Sequence, residues 1–115
     1  MFMKTKYINE NVNIELTTYA STGATKINIV DNIGLPVAIA TANTDHPDFL
    51  NALNKPNGER LVIIKNYSEN EGIEEALIEN EVIEENSVGQ VQLGFVVCNM
   101  YLLTEAYAEL LNNNK

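Results

Sequence analysis

The chain has 115 residues, the size of one domain, and its contents of 45% apolar and 20% charged residues are ordinary for a folded protein. We therefore expect a single domain over residues 1–115, with a frayed tail at about residues 112–115. The net charge of −9, from 16 acids and 7 bases, disfavours direct binding to nucleic-acid phosphates or to an anionic membrane, because both need clustered Lys and Arg.

The first half of the chain has the alternation of apolar and polar residues that is typical of strands. Residues 12–16 and 25–30 both alternate with period two and are separated by a turn signal at Gly23. Residues 35–42 are small and apolar, as in a central strand. The turns between these segments are too short for crossovers, so the pattern predicts an antiparallel three-stranded meander.

The second half mixes predicted helices and strands. Thr44 or Asp45 can cap a short helix over residues 47–54, and residues 61–64 indicate a buried strand. Three further elements are expected: a helix over residues 69–80, one long strand beginning at Gly89, and a last helix over residues 105–112 capped by Thr104. The mixture predicts an α+β fold, with an antiparallel sheet of four to six strands and one or two helices packed on one face.

The helix over residues 69–80 has the clearest start signal in the chain. Ser68 and Glu71 match the capping box, in which a Ser side chain and a Glu three residues later each bond a free backbone amide. Ile73, Ala76 and Leu77 then follow at helical spacing. The pattern therefore predicts an amphipathic helix that begins directly after Ser68.

Charge is unevenly distributed along the chain. Residues 1–65 hold six bases and six acids, whereas residues 66–115 hold ten glutamates and a single base, Lys115. Glu71, Glu75 and Glu79 are spaced to form one ridge of the predicted helix, and no base is interleaved to offset their repulsion. This excess predicts an anionic surface that binds a basic partner; the alternative is a solvated face that only confers solubility. The candidate contact residues are Glu71, Glu74, Glu75, Glu79, Glu81, Glu84 and Glu85.

Catalytic and metal-binding patterns are absent from the sequence. His46 lies between Asp45 and Asp48, but there is no G-x-S-x-G elbow to supply a nucleophile, and Cys98 lies in an apolar segment typical of a buried thiol. There is no zinc spacing of Cys and His and no D-x-[DN]-x-[DN]-G calcium loop. We therefore expect no enzyme activity, no metal and no cofactor.

The expected compartment is the cytoplasm. Cys98 is the one cysteine and cannot form an internal disulfide, which favours a reducing environment. No apolar stretch follows Lys4 and Lys6 as in a signal peptide, and no apolar run approaches the ~20 residues that cross a bilayer.

One segment resembles a known family. Lys65-Asn-Tyr-Ser-Glu-Asn-Glu-Gly72 follows the predicted strand and opens an Ala-Leu helix, and it resembles a family of small domains of unknown function from bacterial mobile elements, in which a Y-S-E-N-E-G-like segment has the same place. Gly94-Phe-Val-Val-Cys98 is similar to the closing Gly-Phe-Val strand of that family. The resemblance covers about residues 12–100. It implies a compact α+β domain from a phage or plasmid, and no activity or catalytic residues.

Two hypotheses follow for function. Some small acidic mobile-element proteins inhibit host defence nucleases by occupying a basic nucleic-acid channel. Together with the charge asymmetry, the resemblance predicts a protein of this anti-CRISPR or anti-restriction type, which binds a basic host protein such as a CRISPR or restriction nuclease in the bacterial cytoplasm. The alternative is a non-catalytic accessory or structural protein of the element that self-associates, as in a homodimer, through a sheet edge or through the apolar face of the helix over residues 105–112.

Overall fold

In the computed structural model, which describes residues 1–113, six strands come before the first α-helix, and antiparallel strands and short helices follow one another after it. The strands are β1 (Phe2–Lys4), β2 (Asn9–Asn11), β3 (Asn13–Thr18), β4 (Thr25–Val30), β5 (Pro36–Ile39), β6 (Thr41–Ala42), β7 (Leu61–Ile64), β8 (Gly89–Leu93) and β9 (Val96–Leu102). The helices are α1 (Pro47–Leu53), α2 (Ile73–Glu79) and α3 (Glu105–Asn113), with 3-10 turns over Gly58–Arg60 and Ser68–Asn70.

The predicted α+β class with antiparallel pairing is confirmed, but the sheet count is corrected. In place of one sheet of four to six strands with one or two helices, residues 1–113 form a β1-β2 pair, a β3-β4-β5 sheet and a β6-β7-β9-β8 sheet, with three α-helices. The division occurs at Ala40. Its N–H donates to Ile27 O of β4 at 3.0 Å, while its carbonyl accepts from Lys65 N, just after β7, at 2.8 Å. The chain therefore passes from one sheet to the next within two residues.

The predicted meander of the first half is confirmed as β3-β4-β5. β3 and β4 pair in a regular antiparallel register that places Leu16 opposite Ile27. The expectation of a central strand over residues 35–42 is wrong: β5 and β6 are each at an edge of a different sheet, because the chain leaves one sheet before it enters the next.

The predicted long strand from Gly89 is instead a hairpin of β8 and β9. Leu93 pairs with Val96 across a two-residue turn. Gly94 has φ 63°, whereas Phe95 is not among the residues with positive φ, which matches a type II′ turn with glycine at its first central position. Apolar and polar residues keep the same two-residue alternation before and after such a turn. The alternation by itself therefore did not reveal where β8 ends and β9 begins.

The helix predicted over residues 47–54 is confirmed as α1, with a different cap. His46 Nδ1, rather than Thr44 or Asp45, accepts the Asp48 backbone N–H at 3.2 Å. α1 buries Phe49 against a cluster that includes Ile63, Val91 and Cys98.

A larger cluster lies between the β3-β4-β5 sheet and the helices α2 and α3, and contains Ile27, Ile29, Ile73, Leu77 and Leu111.

The other two predicted helices are present, but neither has the predicted N-terminal cap. The capping box does not form, because Ser68 has φ 53° and Gly72 has φ 93°, so the chain turns twice before α2 begins at Ile73. Asn66 Oδ1 accepts the Glu74 N–H instead, at 2.9 Å.

α3 matches the helix expected over residues 105–112. The hydroxyl of Thr104, the predicted cap, donates instead to the Glu81 carbonyl at 2.7 Å. The expected frayed tail overlaps α3 up to Asn113, and residues 114–115 lie outside the described residues.

Candidate functional site

Six of the seven predicted contact glutamates are exposed along and after α2. We call them the acidic face: Glu71, Glu75, Glu79, Glu81, Glu84 and Glu85. Glu75 and Glu79 stand one helical turn apart on the solvent side of α2, because Ile73, Ala76 and Leu77 occupy the buried side. The apolar spacing of α2 therefore decides which way these two carboxylates point.

The seventh residue, Glu74, is turned inward. Its Oε1 accepts a hydrogen bond from Asn99 Nδ2 at 2.8 Å and another from the Tyr101 hydroxyl. Burial, together with the hydrogen bond to Glu74, raises the pKa of Tyr101 to about 12. Glu74 thus joins the first turn of α2 to the middle of β9, and it is not part of the acidic face.

The predicted ridge of Glu71, Glu75 and Glu79 is interrupted, and bases from the first half reach the acidic segment. Glu71 precedes the left-handed Gly72 and so lies outside α2; its Oε2 is 3.3 Å from Lys6 Nζ. Arg60 Nη2 donates to Glu84 Oε1 at 2.8 Å. The prediction that the acidic segment has no counter-charges is therefore wrong at Glu71 and Glu84. Charges counted along the chain do not reveal bases that folding brings close from distant positions.

Lys65 and Glu69 form a further ion pair beside the acidic face. Lys65 Nζ donates to Glu69 Oε1 at 2.7 Å. This hydrogen bond raises the pKa of Lys65 and lowers the pKa of Glu69. Glu75, Glu79, Glu81 and Glu85, in contrast, form no ion pair with any base among residues 1–113.

Glu81 occupies a backbone position that favours glycine. The N–H of Glu81 donates to Ile78 O at 3.0 Å and the N–H of Val82 donates to Leu77 O at 2.9 Å, the two bonds of a Schellman motif that ends α2. Glu81 has φ 57°, in the left-handed region that costs a side-chain-bearing residue about 1 kcal/mol. A carboxylate is thus placed at the helix end at some expense in stability.

A cleft of about 440 Å³ lies beside the acidic face, between α2 and α3. Ile78, Ile83 and Tyr107 supply apolar walls, and Glu81, Glu84 and Glu85 supply carboxylates. Burial raises the pKa of the Tyr107 phenol. Apolar walls with carboxylates beside them suit a basic side chain. Its methylene stem packs on the apolar residues while its charged end contacts a carboxylate.

Neither of the residues considered for catalysis, His46 and Cys98, lines this cleft. His46 caps α1, and Cys98 is buried in β9, where burial raises the pKa of its thiol and so disfavours the nucleophilic thiolate. Within residues 1–113, no group of three or more His, Cys, Asp or Glu side chains is placed to hold a metal ion. None of the helices in this part of the chain has the length and apolar character needed to cross a membrane.

Comparisons with protein-family models, with curated proteins and with solved structures found no match to this chain. Its function therefore has to be inferred from the geometry of its own residues.

Proposed function

We propose that this chain is a non-catalytic interaction protein whose acidic face binds a basic surface of a host protein. The observation that supports the proposal is the concentration of six exposed glutamates over residues 71–85, four of them without an ion pair to a base among the described residues. Opposite potentials steer two proteins together and set their orientation. Glu81 adds support, because a glutamate stands where glycine would give the more stable helix end.

The partner we propose is a nuclease of host defence, of the CRISPR or restriction type. Such enzymes hold nucleic acid in basic channels, and a row of carboxylates can replace phosphates there. The resemblance of the Lys65–Gly72 segment to mobile-element domains supports a phage or plasmid origin, and with it action in the bacterial cytoplasm. No enzyme activity, metal or cofactor is part of this proposal.

Affinity capture tests the proposal directly. The tagged protein is incubated with nuclease-treated host lysate at low and at high salt. We expect a basic nucleic-acid enzyme to be retained at low salt and released at high salt, because exposed charges are screened beyond a Debye length of ~8 Å at physiological ionic strength. Retention that is insensitive to salt, or no basic protein at all, would refute the proposed binding mode.

A charge-reversal variant tests whether binding depends on the acidic face or only on the net charge of the protein. Changing Glu75, Glu79 and Glu85 to Lys removes three glutamates that form no ion pair in the described residues, and we expect capture to be lost with the fold intact by circular dichroism. The matched control changes Glu10, Glu15 and Glu59 to Lys, which are also exposed and alter the net charge by the same amount. Equal capture by the two variants would show that the location of the glutamates is irrelevant.

Self-association is the second candidate function, and exposed apolar side chains in and beside the β8–β9 hairpin favour it. Phe95, at 107% relative exposure, lies at the tip of the β8–β9 hairpin, and Val88 and Val97 are also exposed. The apolar face of α3 is less available, because Leu111 is buried in the core and Tyr107 packs against it. Sedimentation of the wild type and of Phe95→Lys tests this candidate: a dimer that dissociates in the variant supports it, and a monomeric wild type excludes it.

A further inference from the structure

β9 extends beyond the end of its neighbour β7 and leaves part of its edge open. β7 pairs with β9 from Leu61 opposite Leu102 to Ile63 opposite Met100, whereas β8 pairs with β9 as far as Leu93 opposite Val96. The start of β9 is therefore covered by β8 on one side, and no strand within residues 1–113 pairs with it on the other.

The direction of the free backbone groups follows from the pairing. In the two-residue turn Val96 is hydrogen-bonded to Leu93, and because bonding sides alternate along an antiparallel strand, the N–H and C=O of Val97 point away from β8. Two observed bonds agree with this alternation: Val88 N–H, on the β8 side, donates to Met100 O, and Leu103 N–H donates to Arg60 O on the β7 side. Outside the sheet ladders, no hydrogen bond of the described residues involves the Val97 backbone.

A cleft of about 320 Å³ occupies the place where β7 would continue opposite Val97. Asn66, Tyr67 and Glu74 form its other wall. Both described hydrogen bonds to the Glu74 carboxylate end on Oε1, from Asn99 and Tyr101, and none within residues 1–113 ends on Oε2. The cleft therefore combines a strand edge with a half-buried carboxylate oxygen that has room for a donor.

We propose that this edge binds a short extended peptide segment that carries a lysine or arginine. The segment adds as an antiparallel strand beside β9, where its central residue exchanges two backbone hydrogen bonds with Val97. In such a pair the two side chains lie on the same face of the sheet, and Val97, Asn99 and Tyr101 share the face on which Glu74 lies. A basic side chain opposite Val97 then reaches Glu74 Oε2, and so the occupant is a basic segment of a partner protein. The site is separate from the acidic face and does not depend on it.

Amide NMR titration with the acetylated, amidated peptide Thr-Val-Lys-Val-Thr tests the proposal. We expect the largest shifts at the Val97 amide and at the side-chain amides of Asn66 and Asn99. Replacing the central lysine by norleucine should weaken binding by about tenfold, the value of a hydrogen bond to a charged group. Methylating the backbone nitrogen of that lysine should abolish the Val97 shift, since it removes the donor.

Protein variants give an independent comparison. Glu74→Gln keeps an acceptor for Tyr101 and Asn99 but loses the charge. This variant should bind the lysine peptide only as tightly as the wild type binds the norleucine peptide. Glu10→Gln, at an exposed glutamate outside both this cleft and the acidic face, should bind as the wild type does. Equal affinities of the two peptides, shifts centred on the α2–α3 cleft, or no shift at millimolar peptide would overturn the proposal. Concentration-dependent shifts at Val97 without peptide would assign the edge to a second copy of the chain and would also overturn it. None of these results alters the charge-reversal test of the acidic face.

Discussion

The carboxylate of Glu74 in α2 accepts a hydrogen bond from the phenol of Tyr101 in β9. This contact joins the helix that carries Glu75 and Glu79 of the acidic face to β9, one of the two inner strands of the four-stranded sheet. Glu74 Oε1 also accepts from Asn99 Nδ2 at 2.8 Å, so one half-buried carboxylate holds two residues of the same strand face. The acidic segment is therefore held on the sheet by one of its own glutamates.

The raised pKa of Tyr101 makes stability depend on alkaline pH. The phenol has a pKa of about 12 in the native state against 10.0 as its ordinary value. The native protein therefore keeps this proton longer than the unfolded chain does, so its stabilising effect is complete below pH 10 and is lost as the pH rises towards 12. We expect the free energy of unfolding in urea to fall over this range, and to fall less steeply in Tyr101→Phe. Parallel curves for the two proteins would contradict the assignment.

Arg60 should be worth more to stability than the exposed base Lys6. Its Nε and Nη2 donate to the Leu103 carbonyl at 3.0 and 2.7 Å, and Nη2 also donates to Glu84. We expect Arg60→Ala to lower the free energy of unfolding by about 2 kcal/mol, since several charge-assisted bonds are lost at a mostly buried side chain. Lys6→Ala should cost at most about 0.5 kcal/mol, as is usual for an exposed pair such as Lys6–Glu71. Similar losses by thermal or urea unfolding would contradict this ranking.

Replacing Glu81 by glycine should raise stability and weaken binding to a basic partner. Glycine adopts the left-handed conformation at φ 57° without strain, so we expect a gain of about 0.5–1 kcal/mol in the free energy of unfolding. The same change removes one carboxylate from the acidic face. Glu81→Gln is the control, because it removes the charge and keeps the strain. A glycine variant that gains no stability would show that the surrounding structure already compensates for the conformation.

Asn70 fastens the segment before α2 to the edge strand β5. It is 2% exposed, and its Nδ2 donates to the Ile39 carbonyl at 2.7 Å. Asn70→Ala should cost about 1–3 kcal/mol, because the carbonyl loses its donor. At neutral pH, Asn70→Asp should cost more, because a carboxylate cannot donate and repels the carbonyl oxygen. Urea unfolding of both variants checks the order, and an Asp variant as stable as the wild type would rule out this role for the bond.

The sequence predicted local features well where burial follows a regular period. The strands β3 and β4 and the helices α1 and α3 were anticipated, because a strand or helix with one buried face repeats apolar residues every two or every three to four positions. The strand β7, whose four residues are all buried, was anticipated instead from its short run of apolar residues rich in β-branched side chains. It did not predict the start of α2. Ser68 and Glu71 match the residue types of a capping box, but Gly72 has φ 93° and the Glu71 carbonyl accepts the Lys6 N–H at 3.1 Å. A Cβ at Gly72 would lie 3.5 Å from Thr5 Cα, so the turn before α2 packs against the N-terminal segment.

The sequence by itself determined the antiparallel α+β class, the concentration of glutamates after residue 66 and the lack of a recognisable catalytic motif, since these depend on composition and on near neighbours in the chain. Only the tertiary structure decided which glutamates form ion pairs within residues 1–113. Lys6 and Arg60 come from distant parts of the chain to meet Glu71 and Glu84, and Tyr101 turns Glu74 inward. It also decided that β9 extends past β7 and exposes Val97. Ion pairs and unpaired strand edges depend on which distant segments of the chain come into contact. The pattern of residues along the chain does not specify those contacts.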